Sequence, residues 1–280
     1  MIHNLMPWRN ENRMTANMNR IDDLSPSPRK PSGLFDHIEA LQGDLSWGSI
    51  LDAGTGTHSL GWITSLQTER WTAVTGAERH AAQVRRIATP VQRPQDRILV
   101  GNWSDPALLA GERHDTVLAD YLLGAIEGFA PYFQHRLFAR LRPLVGRRLY
   151  VVGLEPYVTG QPATPAARLV WEIGRFRDAC LLIIGEQPYR EYPAQWVVDH
   201  LEASGYRVIA SQRFAIRYKQ RFVNSQIDMC APRLAAMRDR DLARTLAARG
   251  EALREEALAM IERDGALRHG FDYILAAEPA

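Results

Sequence analysis

The sequence contains very few cysteines and lysines. Cys180 and Cys230 are the only cysteines among 280 residues, which is too few for a disulfide framework, and no C-x-x-C metal motif is present. Lysine and arginine together number 34, yet only Lys30 and Lys219 are lysines. A Schiff-base or lysine general-base mechanism therefore has almost no candidate residue.

Long apolar runs and a strong net charge are also missing. No stretch approaches the roughly 20 apolar residues of a membrane-spanning helix, and residues 1–32 lack the apolar centre of a secretory signal. The net charge is +2, whereas proteins that follow nucleic acid phosphates carry a strongly basic surface. We therefore expect no membrane partner, no nucleic acid partner and a cytoplasmic location.

The most informative stretch spans residues 49–62, with the sequence SILDAGTGTHSLGW. A short apolar run ends in Asp52, Gly54 and Gly56 turn the chain, and Thr57 and Ser59 can cap a following helix. Glycine allows unusual backbone dihedrals or close approach of a ligand, and a helix N-terminus offers free N–H groups to a negative charge. This strand, tight loop and helix start predict a nucleotide-like ligand.

The third position of the glycine fingerprint separates two families that use such a turn. Dinucleotide-binding domains have G-x-G-x-x-G, but Ser59 stands at the last of these positions. The pattern hydrophobic-hydrophobic-Asp-x-Gly-x-Gly closely resembles the first motif of class I S-adenosylmethionine-dependent methyltransferases. The resemblance covers residues 34–155 and implies S-adenosylmethionine as the cofactor.

The resemblance implies an α/β fold. We expect a Rossmann-like, doubly wound sheet of seven mostly parallel strands whose last strand is antiparallel. The expected strands cover residues 49–52, 70–78, 96–103, 115–121, 148–155, 206–216 and 271–278. Prolines 26, 28 and 31 disfavour regular structure, so residues 1–32 are predicted to be a flexible arm, or alternatively a lid, ahead of a catalytic domain at 33–280.

Some fifty residues separate the last two strands, where the family has a short hairpin. We predict a helical insert at residues 228–264, broken near Gly250, because apolar residues recur there at helical spacing: Leu242, Leu246, Leu253, Ala257 and Ile261. Three arrangements stay open for this insert. It could be a solvated crossover, a cover of the substrate site, or the contact of a homodimer.

Ligands of open α/β sheets bind outside the carboxyl ends of the strands. The second strand ends in Glu78, about 20 residues past the glycines, where a carboxylate accepts hydrogen bonds from ribose hydroxyls. With the family resemblance, this placement gives a predicted cofactor-binding set: Asp52, Gly54, Thr55, Gly56, Glu78, Asn102, Trp103 and Asp120.

The resemblance places Asp120 and Tyr121 beside the departing methyl group. Asp120 is the first candidate to orient or deprotonate the acceptor, with Tyr121 near the sulfonium and Glu155 as the alternative base. For Asp120, a strand-end cap or a contact to the cofactor amine is an equally good interpretation. The loops expected around the acceptor carry polar and aromatic candidates for binding it: Tyr157, Tyr189, Arg190 and Tyr192.

The expected reaction is metal-independent SN2 transfer of a methyl group to oxygen, nitrogen or sulfur of a small molecule. A sulfonium is already a reactive donor, so positioning and exclusion of water are the main requirements. The sequence lacks the Asn/Asp-Pro-Pro-aromatic motif of family members that methylate planar amide or base nitrogens. Two other functions stay open: a nicotinamide-dependent oxidoreductase, and a non-catalytic S-adenosylmethionine-binding protein.

Overall fold

A computed structural model describes residues 33–280 as one mixed seven-stranded sheet with helices on both faces. Its strands in chain order are β1 (Ser49–Asp52), β2 (Arg70–Thr75), β3 (Arg97–Val100), β4 (His114–Asp120), β5 (Val145–Leu154), β6 (Tyr206–Tyr218) and β7 (Leu267–Pro279). The helices are α1 (Gly33–Gln42), α2 (Thr57–Ile63), α3 (Glu78–Ala88), α4 (Leu122–Phe129), α5 (Gln134–Leu141), α6 (Pro165–Ile183), α7 (Ala194–Ala203), α8 (Gln220–Asp228), α9 (Ala231–Ala236) and α10 (Arg240–Asp264). The predicted arm at 1–32 lies outside the described residues.

The strand order in space is β3-β2-β1-β4-β5-β7-β6, with β7 antiparallel to both of its neighbours. The other pairings are parallel, which confirms the predicted fold class. Parallel strands are buried on both faces, so they are apolar on both sides. In β1, Ile50 packs toward α1, α2 and α3, while Leu51 packs toward α4, α5 and α7.

Two expected strand ends were wrong. β2 stops at Thr75, and Glu78 is the first residue of α3 rather than the end of the strand. β3 is confined to four residues, so Asn102 and Trp103 lie in the loop that follows it. The reason is that the chain leaves the sheet as soon as its pairing partners end, and Thr75↔Val100 is the last pair between β2 and β3.

The insert between β6 and β7 forms a second packing unit on α6. Its three helices pack through a separate apolar cluster that includes Phe176 of α6, Ile227 of α8 and Leu253 of α10. The predicted break at Gly250 was wrong, because α10 runs unbroken for 25 residues. A Cβ atom at Gly250 would lie 2.8 Å from the Phe176 ring, so glycine allows close helix contact instead of ending the helix. No helix within residues 33–280 has the length and apolar character needed to cross a membrane.

Candidate functional site

A cavity of about 850 Å³ opens at the carboxyl edge of the sheet. One half is formed by the glycine turn after β1 and by the ends of β2, β3 and β4. The other half is formed by α6, the loop before α7, the start of the insert and Asp272 of β7. Its size lies within the range of about 300–1,000 Å³ that is usual for ligand pockets.

The glycine turn is shaped by packing on one side and open on the other. A Cβ atom at Gly54 would come within 2.9 Å of Leu122, so glycine lets β1 and α4 approach closely. A Cβ at Gly56 would meet no atom within 4 Å. Ser59 stabilises the turn, because its hydroxyl accepts a hydrogen bond from the Gly56 N–H at 3.0 Å. This bond gives Ser59 a structural role at the position where dinucleotide-binding domains have their third glycine.

Asp52 and Asp120 are acids at the ends of the adjacent strands β1 and β4, where Asp52 is buried and Asp120 is half-buried. Burial raises the pKa of Asp52 to about 6, partly offset by the nearby Ser59 and Thr55 hydroxyls. Burial also raises the pKa of Asp120 to about 7, and the charges of Asp52 and Asp272 add to this shift. Neither Asp52 oxygen makes a hydrogen bond of standard geometry within the described chain. Asp120 lines the cavity and Asp52 lies beneath it.

Tyr121 connects this pair of acids to β7. Its backbone adopts a left-handed conformation, with φ of 47°, as the chain turns from β4 into α4. Such a conformation costs a non-glycine residue about 1–2 kcal/mol. Its hydroxyl donates a 2.8 Å hydrogen bond to Asp272 Oδ1, and burial raises the pKa of the phenol. The turn thus directs an aromatic side chain into the cavity between two carboxyls.

Asn102 and Trp103 line the cavity, but their polar groups are used within the protein. The Trp103 indole N–H donates to the Ala53 carbonyl at 2.6 Å, which ties the loop after β3 to the glycine turn. The Asn102 side-chain amide donates to the Phe129 carbonyl at 2.7 Å. These bonds hold the wall of the predicted cofactor half in place.

Three other predicted residues lie outside the cavity lining. Glu78 has a side chain that is 75% exposed and forms an ion pair with Arg85. Glu155 accepts a hydrogen bond from Arg213 Nε at 2.8 Å, and the Tyr192 ring packs on Trp196. The remaining predicted acceptor residues do line the cavity, at its far half: Tyr157, Tyr189 and Arg190.

The structure adds lining residues that sequence reasoning missed. His80 and Gln83 of α3 face the cavity where Glu78 was expected to do so. Arg177, Glu191 and Asp272 line the other half of the cavity, formed by α6, the loop before α7 and the insert. Because the predicted acceptor residues lie there, we call it the acceptor half. In the sequence, Asp272 is a polar residue of the last strand and Glu191 is part of a turn. No local pattern marks either one as a residue of the site. No group of three or more His, Cys, Asp or Glu side chains arranged to hold a metal is found among residues 33–280.

No protein-family model matches the chain, and no curated protein sequence matches it. Solved structures do match its fold. A methyltransferase candidate from Bacillus halodurans has a TM-score of 0.55 at 12% identity, covering 88% of this chain and 99% of that one. An S-adenosylmethionine-dependent methyltransferase from Geobacter sulfurreducens, in complex with S-adenosylhomocysteine, has 0.51 at 15%, covering 92% and 94%. The cyclase SpnF has 0.51 at 14%, covering 88% and 80%.

These similarities and the strand order define the class of fold. The chain has the fold of class I S-adenosylmethionine-dependent methyltransferases, as the resemblance of its first motif predicts. At 12–15% identity the likeness concerns the fold and not the reaction. Function has to be argued from the site itself.

Proposed function

We propose that the protein is an S-adenosylmethionine-dependent methyltransferase that acts on a small-molecule acceptor. The observation that carries this proposal is the pair of carboxyls at a glycine turn that opens into the cavity, buried Asp52 and half-buried Asp120. Neither acid forms an ion pair within residues 33–280. A ligand with a sulfonium and an ammonium group suits such a site, because a nearby positive charge favours ionised carboxylates.

The residues of the glycine turn are suited to hold this cofactor. The open space in front of Gly56 allows close approach of the cofactor, while the Thr55 hydroxyl lies beside Asp52 and favours its ionised form. Asn102 and Trp103 form the wall for the base, and Asp52 and Asp120 supply negative charge. When bound, S-adenosylmethionine supplies the activated methyl group.

The protein's task in methyl transfer is to align an acceptor and exclude water. Asp120 and Tyr121 lie where the two halves of the cavity meet, so they can orient the acceptor. Asp120 is also the better base, because Glu155 is engaged by Arg213 and lies outside the lining. An acid whose pKa is about 7 matches proton transfer near neutral pH.

Two features support a small acceptor. The acceptor half is enclosed by α6, α8 and α9. Asp120-Tyr121-Leu122-Leu123 stands where family members acting on planar amide or base nitrogens carry their motif. The homodimer, the cytoplasmic location and the lack of nucleic acid or membrane partners stay predictions.

The two alternatives differ from this proposal in measurable ways. A nicotinamide-dependent oxidoreductase is disfavoured by Ser59 and by the antiparallel β7 between β5 and β6, because dinucleotide-binding sheets have the parallel order 3-2-1-4-5-6. A protein that binds S-adenosylmethionine without transferring its methyl group is compatible with the same cofactor site. The similarity to a cyclase, SpnF, shows that this fold also occurs in a protein named for another reaction.

Thermal unfolding with added S-adenosylmethionine, S-adenosylhomocysteine or NAD tests the cofactor. We expect the first two to raise the melting temperature and NAD to leave it unchanged. Incubation with methyl-labelled S-adenosylmethionine and metabolite extract should then release S-adenosylhomocysteine and a labelled small product. Stabilisation by NAD alone contradicts the proposal, and cofactor binding without turnover supports the non-catalytic alternative.

The predicted ribose contact of Glu78 can be tested separately. If Glu78 contacts the ribose, loss of this charged hydrogen-bond acceptor should weaken S-adenosylmethionine binding by about 10- to 100-fold in Glu78→Ala. Calorimetric titration measures this effect, with exposed Glu69→Ala as the control. Unchanged affinity would assign Glu78 to the exposed ion pair with Arg85 alone.

A further inference from the structure

The acceptor half of the cavity has an unusual balance of charges. Three arginines line it, and each has its own carboxylate partner. Arg177 donates two hydrogen bonds to Asp178, at 2.6 and 2.8 Å. Arg233 forms a buried ion pair with Glu186 at 2.8 Å, and Arg190 lies 3.7 Å from the carboxylate of Glu127.

Arg177 is largely enclosed, and its remaining contacts are also internal. Its Nη1 donates to the Tyr157 hydroxyl at 2.8 Å and to Gln226 Oε1 at 2.9 Å. The guanidinium therefore organises the wall formed by α6, α8 and the loop after β5. Its positive charge is already compensated by Asp178.

Glu191 and Asp272 are acids in the same half of the cavity that have no such compensation. No Lys, Arg or His side chain of residues 33–280 lies within ion-pair distance of either one. Asp272 accepts a hydrogen bond from the neutral Tyr121 hydroxyl. Burial raises the pKa of Glu191 to about 7, against the opposing influence of Arg177. Two acids thus add negative charge to a site whose arginines are already paired.

The position of Glu191 depends on a glycine. A Cβ atom at Gly124 would lie 2.6 Å from Glu191 Oε2, so a glycine in the first turn of α4 makes room for this carboxyl. Gly124 follows Tyr121 by three residues, which places Glu191 beside the junction of the two cavity halves. Glu191 and Asp272 therefore lie near the tyrosine that the proposed methyl transfer uses.

Aromatic rings complete the surroundings of these acids. Tyr189 and Tyr218 line the same half, and the Tyr218 ring packs against Phe222 with centroids 4.2 Å apart. The Tyr218 hydroxyl has no hydrogen-bond partner within the described chain. Carboxylates with aromatic faces favour an ammonium group, which gains from both ion pairing and cation–π attraction.

We infer that the acceptor is an aliphatic amine that enters as its ammonium ion, with Glu191 and Asp272 as its counter-charges. This inference rests on the proposed function. In the reaction, Asp120 takes one proton from the ammonium, and the nitrogen lone pair then forms the new N–CH₃ bond. The S–CH₃ bond breaks with its electron pair on sulfur, which leaves neutral sulfur, a methylated ammonium and a proton that passes from Asp120 to water.

Binding to the full chain saturated with S-adenosylhomocysteine tests this inference. The probes are 2-phenylethylamine, its isosteric alcohol 2-phenylethanol, and phenylacetate, each titrated by calorimetry. A charge-assisted contact should make the amine bind about 10- to 100-fold more tightly than the alcohol, with the acid weakest. Glu191→Gln and Asp272→Asn should each reduce this amine-to-alcohol ratio, while Glu256→Gln on the exposed face of α10 should not.

The amine-to-alcohol affinity ratio distinguishes loss of amine recognition from misfolding, because a misfolded variant would bind both the amine and the alcohol more weakly. Binding of S-adenosylhomocysteine is measured first, so failure of the proposed cofactor is seen independently of the acceptor. Equal binding of amine and alcohol, tighter binding of the acid, absence of amine binding, or an unchanged ratio in both variants would overturn the inference.

Discussion

Asp52 and Asp120 dominate the electrostatics of the site at the residue scale. Asp52 is buried and Asp120 half-buried at the ends of neighbouring strands, and their pKa values are raised to about 6 and about 7, respectively. Two acids this close resist carrying charge together, because each negative charge disfavours the other. A cationic ligand relieves this repulsion, so binding of the proposed cofactor should depend on the protonation of the two acids.

Asp120→Asn separates the two interpretations of this residue. The change keeps the side-chain shape and removes the charge. If Asp120 takes the acceptor proton, turnover should fall about 100-fold or more while S-adenosylmethionine affinity is unchanged. Steady-state kinetics and calorimetry measure both quantities, with exposed Asp199→Asn as the control. Near-normal turnover would exclude a role of Asp120 as the base. Weaker cofactor binding would show that Asp120 contacts the cofactor instead.

The antiparallel pairing of β5 with β7 organises the site at the scale of secondary-structure elements. Gly153 lies directly opposite Tyr273, and the Tyr273 ring covers the glycine. The Tyr273 hydroxyl donates to the Tyr192 carbonyl at 3.0 Å, which fixes the ring and the loop before α7. Asp272 precedes this tyrosine, so the pairing also sets the position of the carboxyl.

Gly153→Ala should destabilise the protein. A Cβ atom would lie 2.3 Å from the Tyr273 ring, which is buried and hydrogen-bonded. Overpacking of this kind costs about 1–3 kcal/mol, more than the lower backbone entropy of alanine gains. Urea unfolding should show a lower midpoint for Gly153→Ala. Gly61→Ala on α2 is the matched control, because its Cβ meets no atom within 4 Å and alanine should there stabilise.

The insert is connected to the acceptor half through Arg254 of α10. Its guanidinium donates to Asn224 at 2.9 Å and to Asp228 at 2.7 Å, both on α8. α8 contributes Phe222 and Gln226 to the cavity. Of the three arrangements predicted for the insert, a role in covering the acceptor is therefore the one that we propose.

Arg254→Ala should loosen α8 without affecting the cofactor half. We expect faster amide hydrogen exchange across Gln220–Asp228, because hydrogen bonds that anchor this helix are lost. Binding of S-adenosylhomocysteine should be unchanged. Arg244→Ala is the control on the same helix, since Arg244 is exposed and pairs with Asp241 of its own helix. Equal exchange in the two variants would contradict the anchoring role.

For the whole molecule, the raised acids predict how stability depends on pH. Asp52, Asp120 and Glu191 have higher pKa values in the folded state than their ordinary values of 3.8, 3.8 and 4.5. Their contribution to stability is therefore present at low pH and is lost as pH rises through about 6 to 7. Burial lowers the pKa of His114 to about 4, so this residue makes the protein more stable as the pH rises. That effect is confined to pH below about 6.5, the ordinary pKa of histidine.

The contribution of Asp120 and Glu191 to the stability of the ligand-free protein should accordingly fall between pH 6.5 and pH 8, because the folded pKa of each is about 7. Because a cation favours their ionised forms, the rise in melting temperature caused by S-adenosylmethionine should be larger at pH 8 than at pH 6.5. Calorimetric scans at the two pH values measure this difference. Asp120→Asn should reduce it, and an equal ligand effect at both pH values in the wild type would refute the coupling.

Local patterns determined most of the sheet and the cofactor turn. The apolar run before Asp52 and the Gly54/Gly56 spacing predicted a strand and a turn where they are observed, and the strand expected at 206–216 lies within β6. These signals are readable because strand pairing and tight turns depend on periodicity and on backbone freedom within a few residues. Together with the family resemblance of the first motif, these signals made the seven-strand architecture predictable from the sequence.

Contacts between distant segments decided the rest. Glu78 has the expected spacing from the glycines, yet the early start of α3 turns it toward solvent and brings His80 and Gln83 to the cavity. Asp272 accepts a hydrogen bond from Tyr121, which lies 151 residues away in the sequence. Gly250 lies within α10, where the lack of a side chain lets Phe176 pack closely against the helix. Side-chain direction and close approach depend on how whole elements pack, so the tertiary structure alone determined which acids share the cavity.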